Sequence, residues 1–106
     1  MIQAVIIQTT LPASADADAL ARQLLDAHLV ACVQIMSPMR SLYRWNGTIE
    51  SASECLLVCK TEAHRVREVR AAIQKQHPYQ VPEILEFAAT GGLPAYLEWI
   101  RESVAL

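Results

Sequence analysis

The run Ala31-Cys-Val-Gln-Ile-Met-Ser-Pro38, Met39-Arg-Ser-Leu-Tyr-Arg-Trp-Asn-Gly47, Thr48-Ile-Glu-Ser-Ala-Ser-Glu-Cys-Leu-Leu-Val-Cys-Lys60 decides the fold. With Val30 before it, the run reads as two long strands joined at Asn46-Gly47, a dipeptide that supplies the positive φ a tight hairpin turn needs. Residues 31–45 and 48–61 both carry β-branched and aromatic side chains, with polar groups placed irregularly. At about 3.3 Å per residue the first arm reaches roughly 50 Å, whereas a compact domain of about 100 residues has a radius of gyration near 13 Å and a diameter near 35 Å. The hairpin is therefore expected to overhang its own core. Leu42, Tyr43 and Trp45 at its tip are then wetted unless another chain covers them. Pro38 lacks an N–H and predicts a bend or bulge where the strand changes partner. The overhang reads as an assembly device. The alternative is two shorter strands broken at Ser37-Pro38, with the tip folded back as a loop.

The bulk of the chain agrees with a single domain over residues 1–106 that buries surface against copies of itself. Of its 106 residues 53% are hydrophobic and 19% charged, which is apolar for a soluble monomer. The net charge of −2 excludes the electrostatic footprint of a nucleic-acid binder. Arg65, Arg67, Arg70 and Lys75 fall in one predicted helix, interleaved with Glu62 and Glu68, and make a solvated face. No apolar run approaches the ~20 residues of a membrane span. The N-terminus lacks the basic segment and small-residue cleavage site of an export signal, so a cytoplasmic location is expected. The three cysteines are expected as free thiols.

Outward from the hairpin, Ile2–Gln8 is a short apolar run typical of a central strand, closed by Thr9-Thr10-Leu11-Pro12. Ser14 is the expected N-cap of a first helix, with Asp16 and Asp18 in its first turn. Ala17, Leu20, Ala21, Leu24, Leu25 and His28 recur at helical spacing and make its stripe. Thr61 is expected to cap a second helix, Glu62 to Gln76, with Val66, Val69 and Ile73 inward and Pro78 as the stop. Val81 to Ala89 reads as the fourth strand, with Pro82 near its start. After Gly91-Gly92, Pro94 opens a closing helix whose apolar side carries Tyr96, Leu97, Trp99, Ile100 and Val104. The order β-α-β-β-α-β plus a terminal helix is an α+β, ferredoxin-like sandwich. Right-handed crossovers leave the antiparallel sheet order 4-1-3-2.

That order gathers polar residues at one corner. The end of strand 1 (Gln8, Thr9) adjoins Gln76, His77, Pro78 and Tyr79 ahead of strand 4. His77 is the best single candidate, since an imidazole with a pKa near 6.5 can ligate a metal or bind with pH sensitivity. Against this, a histidine at a helix C-terminus is favoured there by the dipole and the last carbonyls. His28 and His64 read as structural. Cys55 and Cys59 cannot share a zinc ion, because residues four apart in a strand are roughly 13 Å apart. They and Cys32 read as small buried hydrophobes. Glu83 and Glu86 are placed to pair with Lys60 as cross-strand surface charges. No Gly-rich phosphate loop, Gly-x-Ser-x-Gly or His-Glu-x-x-His run is present. Thr9–Ala15 contains no Arg, Lys or Gly, so the anion-cradling loop of an acylphosphatase is missing. An enzyme is not expected.

Five stretches, Leu29-Val-Ala-Cys-Val33, Ser41-Leu-Tyr-Arg-Trp-Asn-Gly47, Leu57-Val-Cys-Lys-Thr61, His77-Pro-Tyr-Gln-Val-Pro-Glu83 and Tyr96-Leu-Glu-Trp99, together resemble the CutA family of divalent-cation tolerance proteins. The resemblance covers nearly the whole chain. It implies a tight homotrimer, related in architecture to PII signalling proteins, whose long hairpins join neighbours into continuous sheets. It also implies tolerance of copper and other divalent ions without enzymatic activity. The positions matching the family's proposed copper ligands are Gln8, Gln76 and His77. Only the last is a good ligand, because an amide oxygen is a poor partner for copper. An inter-subunit cleft is expected from His77, Tyr79, Gln8 and Glu83, with Tyr43, Trp45 and Lys60 from a neighbour, and its ligand is a divalent cation or a small anionic metabolite. The competing expectation is a scaffolding trimer that docks a partner protein and has no metal role.

Overall fold

In the computed structural model, residues 3–105 are described. The first strand, β1 (Ala4–Pro12), runs four residues past Gln8, where the sequence pattern alone had placed its end. Ile2, expected to begin it, lies outside the described residues. Thr9 and Leu11 keep the alternation that turns Ile7 inward, so the polar threonines do not stop the strand. Helix α1 (Ala17–Asp26) follows, capped by Asp16 rather than Ser14: the Asp16 carboxylate accepts the Ala19 N–H at 3.0 Å. Ala17, Leu20, Ala21 and Leu24 of its stripe are buried, while Leu25 is exposed. His28, with φ +56°, turns the chain out of the helix; its N–H bonds Leu25 O and the Leu29 N–H bonds Leu24 O, both at 3.0 Å.

The hairpin is present at full length as β2 (Cys32–Trp45) and β3 (Thr48–Glu62). Asn46 and Gly47 both have positive φ, +49° and +81°, as a two-residue hairpin turn requires. Pro38 follows a cis peptide bond, and the register slips between Met36 and Met39. It is a bulge, and β2 stays paired to β3 on both sides of it rather than changing partner. Thr61 is still in the strand, its hydroxyl donating to Leu29 O at 2.6 Å, so it caps no helix. A 3-10 turn, Ala63–Arg65, instead leads into α2 (Val66–Gln76), which ends before Pro78. The last strand, β4 (Ile84–Ala88), is shorter than the expected Val81–Ala89, and α3 (Pro94–Ser103) closes the chain with Pro94 in its first turn.

The sheet is antiparallel in the order β2-β3-β1-β4, the expected 4-1-3-2 read from the other edge. On one face Ile7, Leu11, Cys55, Leu57 and Cys59 meet Leu20 and Leu24 of α1 and Val69 and Ile73 of α2. Fully burying each such aliphatic side chain contributes about 1.5–3 kcal/mol, which makes this layer the main source of stability. Strand β1 opposes β3 only from Glu62 back to Glu54, so Thr48–Ser53 pair with β2 alone. That overhang stretches the protein to 44 × 26 × 23 Å. Its cause is local: the turn sits six residues beyond the last β1 partner, with no helix to lie beneath it.

Candidate functional site

Residues 78–83 leave α2, cross the end of the sheet and face the overhanging ribbon. Between them lies a groove of about 700 Å³, lined on one side by Ser41, Tyr43, Trp45, Glu50 and Glu54, and on the other by Pro78, Tyr79 and Glu83. Four of the seven residues expected in the cleft (Tyr43, Trp45, Tyr79 and Glu83) thus line one groove of a single chain, with Tyr43 and Trp45 supplied by the same chain rather than by a neighbour. Lys60 does not: it lies farther along β3, donating to the Tyr96 hydroxyl at 3.2 Å, its ammonium 5.5 Å from that ring's centre. That bond holds its proton more tightly than usual. The expected pairing of Lys60 with Glu83 and Glu86 is also absent. Glu83 accepts from the Gln8 amide at 2.9 Å, and Glu86 turns to the helix face, where it pairs with Arg70 of α2.

His77 sits where Pro78 forces the chain out of the helix, with φ −81° and ψ 134°. Its Nε2 lies 2.6 Å from Thr10 O on β1 and donates to it; its Nδ1 accepts the Tyr79 N–H at 3.1 Å. These two bonds define a neutral ring with a fixed tautomer and no free lone pair. The Tyr79 ring lies 4.9 Å away, centre to centre, and its hydroxyl donates to Glu54 at 2.8 Å. Burial, followed by that bond and the Glu54 charge, pushes the Tyr79 hydroxyl up to about 12. His77 is therefore the hinge pin that carries Tyr79 over Glu54.

The copper expectation is tested by the donors present. Gln8 is bonded to Glu83, His77 has both nitrogens engaged, and Gln76 faces a separate hollow of about 240 Å³ against α1 with Asp16 and Gln23. Among the described residues no three His, Cys, Asp or Glu side chains form a metal-binding group. The set does not fit copper. Cys55 and Cys59 are free thiols buried in the core, and burial, with Cys32 nearby, pushes Cys59 up to about 12.

Glu54 escaped the sequence reading. It is only 6% exposed, although it stands in a run of serines on a strand that overhangs. Its burial comes from Tyr79, a residue 25 positions away in sequence. A carboxylate on the same face as Leu56 and Val58 was the available signal, because period-two alternation puts all three on one side.

Similarity to known proteins agrees with this architecture. The sequence pattern of the CutA1 divalent ion tolerance protein family matches residues 5–103. The divalent-cation tolerance protein CutA of Pectobacterium atrosepticum is 36% identical over 104 residues, spanning 98% of this chain and 94% of that protein. The solved structure of the divalent ion tolerance protein CutA1 from Ehrlichia chaffeensis matches with a TM-score of 0.91 at 31% identity, covering 100% of this chain and 99% of that one. The periplasmic divalent cation tolerance protein CutA of Archaeoglobus fulgidus matches with a TM-score of 0.90 at 36% identity, over 95% and 98% of the two chains. The long hairpin, the sheet order and the near full-length identity point the same way: this chain belongs to the CutA family of divalent-cation tolerance proteins.

Proposed function

We propose that the protein serves divalent-cation tolerance as a cytoplasmic homotrimer without enzymatic activity, each subunit's sheet and ribbon being covered by its neighbours. The observation that carries this is the uncovered apolar surface. Met36, Leu85 and Phe87 on the sheet, and Leu42, Trp45 and Ile49 on the ribbon, are between 46% and 70% exposed. Apolar surface of that extent, on both faces of the ribbon and on the sheet, marks an interface on a lone chain. The outer edges of β2 and β4 lie on opposite sides of the sheet, so joining one to the other runs head to tail, the kind of contact from which a ring can be built. Among the described residues no helix is long and apolar enough to cross a membrane.

In this reading the working site is a cleft completed between subunits, with a divalent ion such as copper or, by PII-like analogy, a small anionic metabolite as its ligand. Among the described residues of one subunit no ligand set for an ion is assembled, so in this reading the donors come from two chains. A second reading, a scaffolding trimer with no metal role, is favoured by the fully engaged His77 ring. Sedimentation at micromolar concentration, with copper and zinc titrations read by calorimetry and by Trp45 and Trp99 fluorescence, separates the two. A three-chain particle that takes up ions supports the first reading, and one that ignores them supports the second. A stable single-chain particle overturns both.

A further inference from the structure

The ribbon has two chemically different faces. Opposed residues of an antiparallel pair share a face. Met39, Ser41, Tyr43 and Trp45 therefore lie with Glu54, Ala52, Glu50 and Thr48, while Arg40, Leu42 and Arg44 lie with Ser53, Ser51 and Ile49 on the other side. The first face forms most of one wall of the groove, which Leu42 of the second face also borders. The second points to the helix side of the sheet, yet Arg40, Leu42, Arg44 and Ile49 are all exposed there.

The charges of these two faces are complementary and unspent. Among the described residues the groove is lined by Glu50, Glu54 and Glu83 and by no Lys, Arg or His. Glu54 is nine-tenths buried, but its partner is the Tyr79 phenol; Glu83 is held by the Gln8 amide, and Glu50 lies 3.4 Å from the Thr48 hydroxyl, which donates to Trp45 O at 3.0 Å. A carboxylate so far removed from water is expected to face a cation. Among the described residues Arg22, Arg65, Arg70 and Arg101 have acidic partners while Arg40, Arg44 and Arg67 have none, and of these three only Arg40 and Arg44 lie on the ribbon. The spacings also agree: Arg40 to Arg44 and Glu50 to Glu54 are each four residues of strand, roughly 13 Å at about 3.3 Å per residue.

We propose that the groove of one subunit receives the Arg40 and Arg44 face of the next subunit's ribbon. The guanidiniums pair with Glu50, Glu54 and Glu83 and lie against the Tyr43 and Trp45 rings. The proposal rests on the oligomeric reading above and names the contact that closes it. Within one ribbon the two faces point apart, so the arginines cannot reach their own groove. A basic face and an acidic groove on different sides of one subunit make a heterologous contact, which passes on to a further subunit rather than stopping at a pair.

Sedimentation velocity of the full chain over a dilution series, at low and high salt, tests this. Arg40→Glu with Arg44→Glu is expected to raise the dissociation midpoint by roughly tenfold or more, and high salt to weaken the wild-type assembly in the same direction. Adding Glu50→Arg and Glu83→Arg to that chain exchanges the charge at two of the three acidic positions and is expected to restore part of the assembly. Circular dichroism checks that each variant folds; if the reversed pair does not, Arg40→Gln with Arg44→Gln is expected to give a smaller shift of the same sign. If the reversed chain assembles like wild type, or the exchanged chain recovers nothing, this contact is wrong and the oligomeric reading stands. If wild type itself sediments as single chains, the oligomeric reading falls first.

Discussion

Replacing Tyr79 with Phe removes one oxygen and leaves the ring in place against His77. Its consequence falls on Glu54, whose carboxylate is buried and, among the described residues, accepts from that hydroxyl alone. Losing a hydrogen bond to a charged group costs about 1.5–3 kcal/mol. Tyr79 itself is 37% exposed, so water replaces part of the bond and the lower end, about 1.5 kcal/mol, is expected. Urea unfolding at pH 7 and one fixed subunit concentration measures it, since assembly makes stability concentration-dependent. Glu54→Gln and the double variant complete a cycle, with an expected coupling of about 1 kcal/mol. The pH dependence has a definite sign. The folded-state hydroxyl is pushed up to about 12, above the ordinary value of about 10 for an unfolded chain. The wild-type advantage is therefore complete below about pH 10 and is lost as pH rises towards about 12, where Tyr79 ionises beside Glu54. The gap between wild type and Tyr79→Phe should narrow over that window. A cost below about 0.5 kcal/mol, or a gap unchanged at alkaline pH, would refute the view that Tyr79 holds a buried carboxylate.

Three further outcomes follow from single positions. Thr9 is fully buried and its hydroxyl has no partner among the described residues, so Thr9→Val should stabilise by about 1 kcal/mol, read as a higher urea midpoint. Gly47 has φ +81° and nothing within 4 Å of an added Cβ, so Gly47→Ala should cost about 1–2 kcal/mol from backbone conformation alone, read by thermal melting. Burial pushes the Cys59 thiol up to about 12, so alkylation at pH 8 should leave it intact until urea is added, with mass spectrometry of peptides as the readout.

The hairpin was legible in the sequence because its signals are local. Asn46-Gly47 can only be a turn of positive φ, and Pro38 can only interrupt a ladder. The errors lie at element ends, where tertiary partners overrule local preference. Thr61 is a good N-cap by type, but Leu29 O takes its hydroxyl and the ladder to β1 carries the strand on to Glu62. Ser14 loses the cap to Asp16, which is two residues closer to the apolar stripe and carries the charge the helix dipole favours. Strand β4 begins late because residues 78–83 are drawn across the sheet end by His77, Tyr79 and Glu83, each bonded to a different partner.

The site was half legible, and the division has a physical cause. Topology alone brought the end of β1 to the approach of β4, where Gln8 meets Glu83 and His77 meets Thr10 O. What topology does not encode is which atoms are already engaged. Gln8 meets Glu83 and His77 meets Thr10 O because the segment after Pro78 passes over β1 at hydrogen-bonding distance, while Gln76, one residue before His77, is still helical and points to α1 instead. A ligand set proposed from adjacent residues assumes that neighbours in sequence share a direction. At a helix end that assumption fails, because the backbone turns from helical to extended between Gln76 and His77. The same turn that splits the copper ligands swings Tyr79 onto Glu54. One local event thus disperses the expected metal centre and builds the acidic groove. Any cation drawn to this corner, whether an ion or a neighbour's arginine, is therefore expected to meet carboxylates before it meets the imidazole.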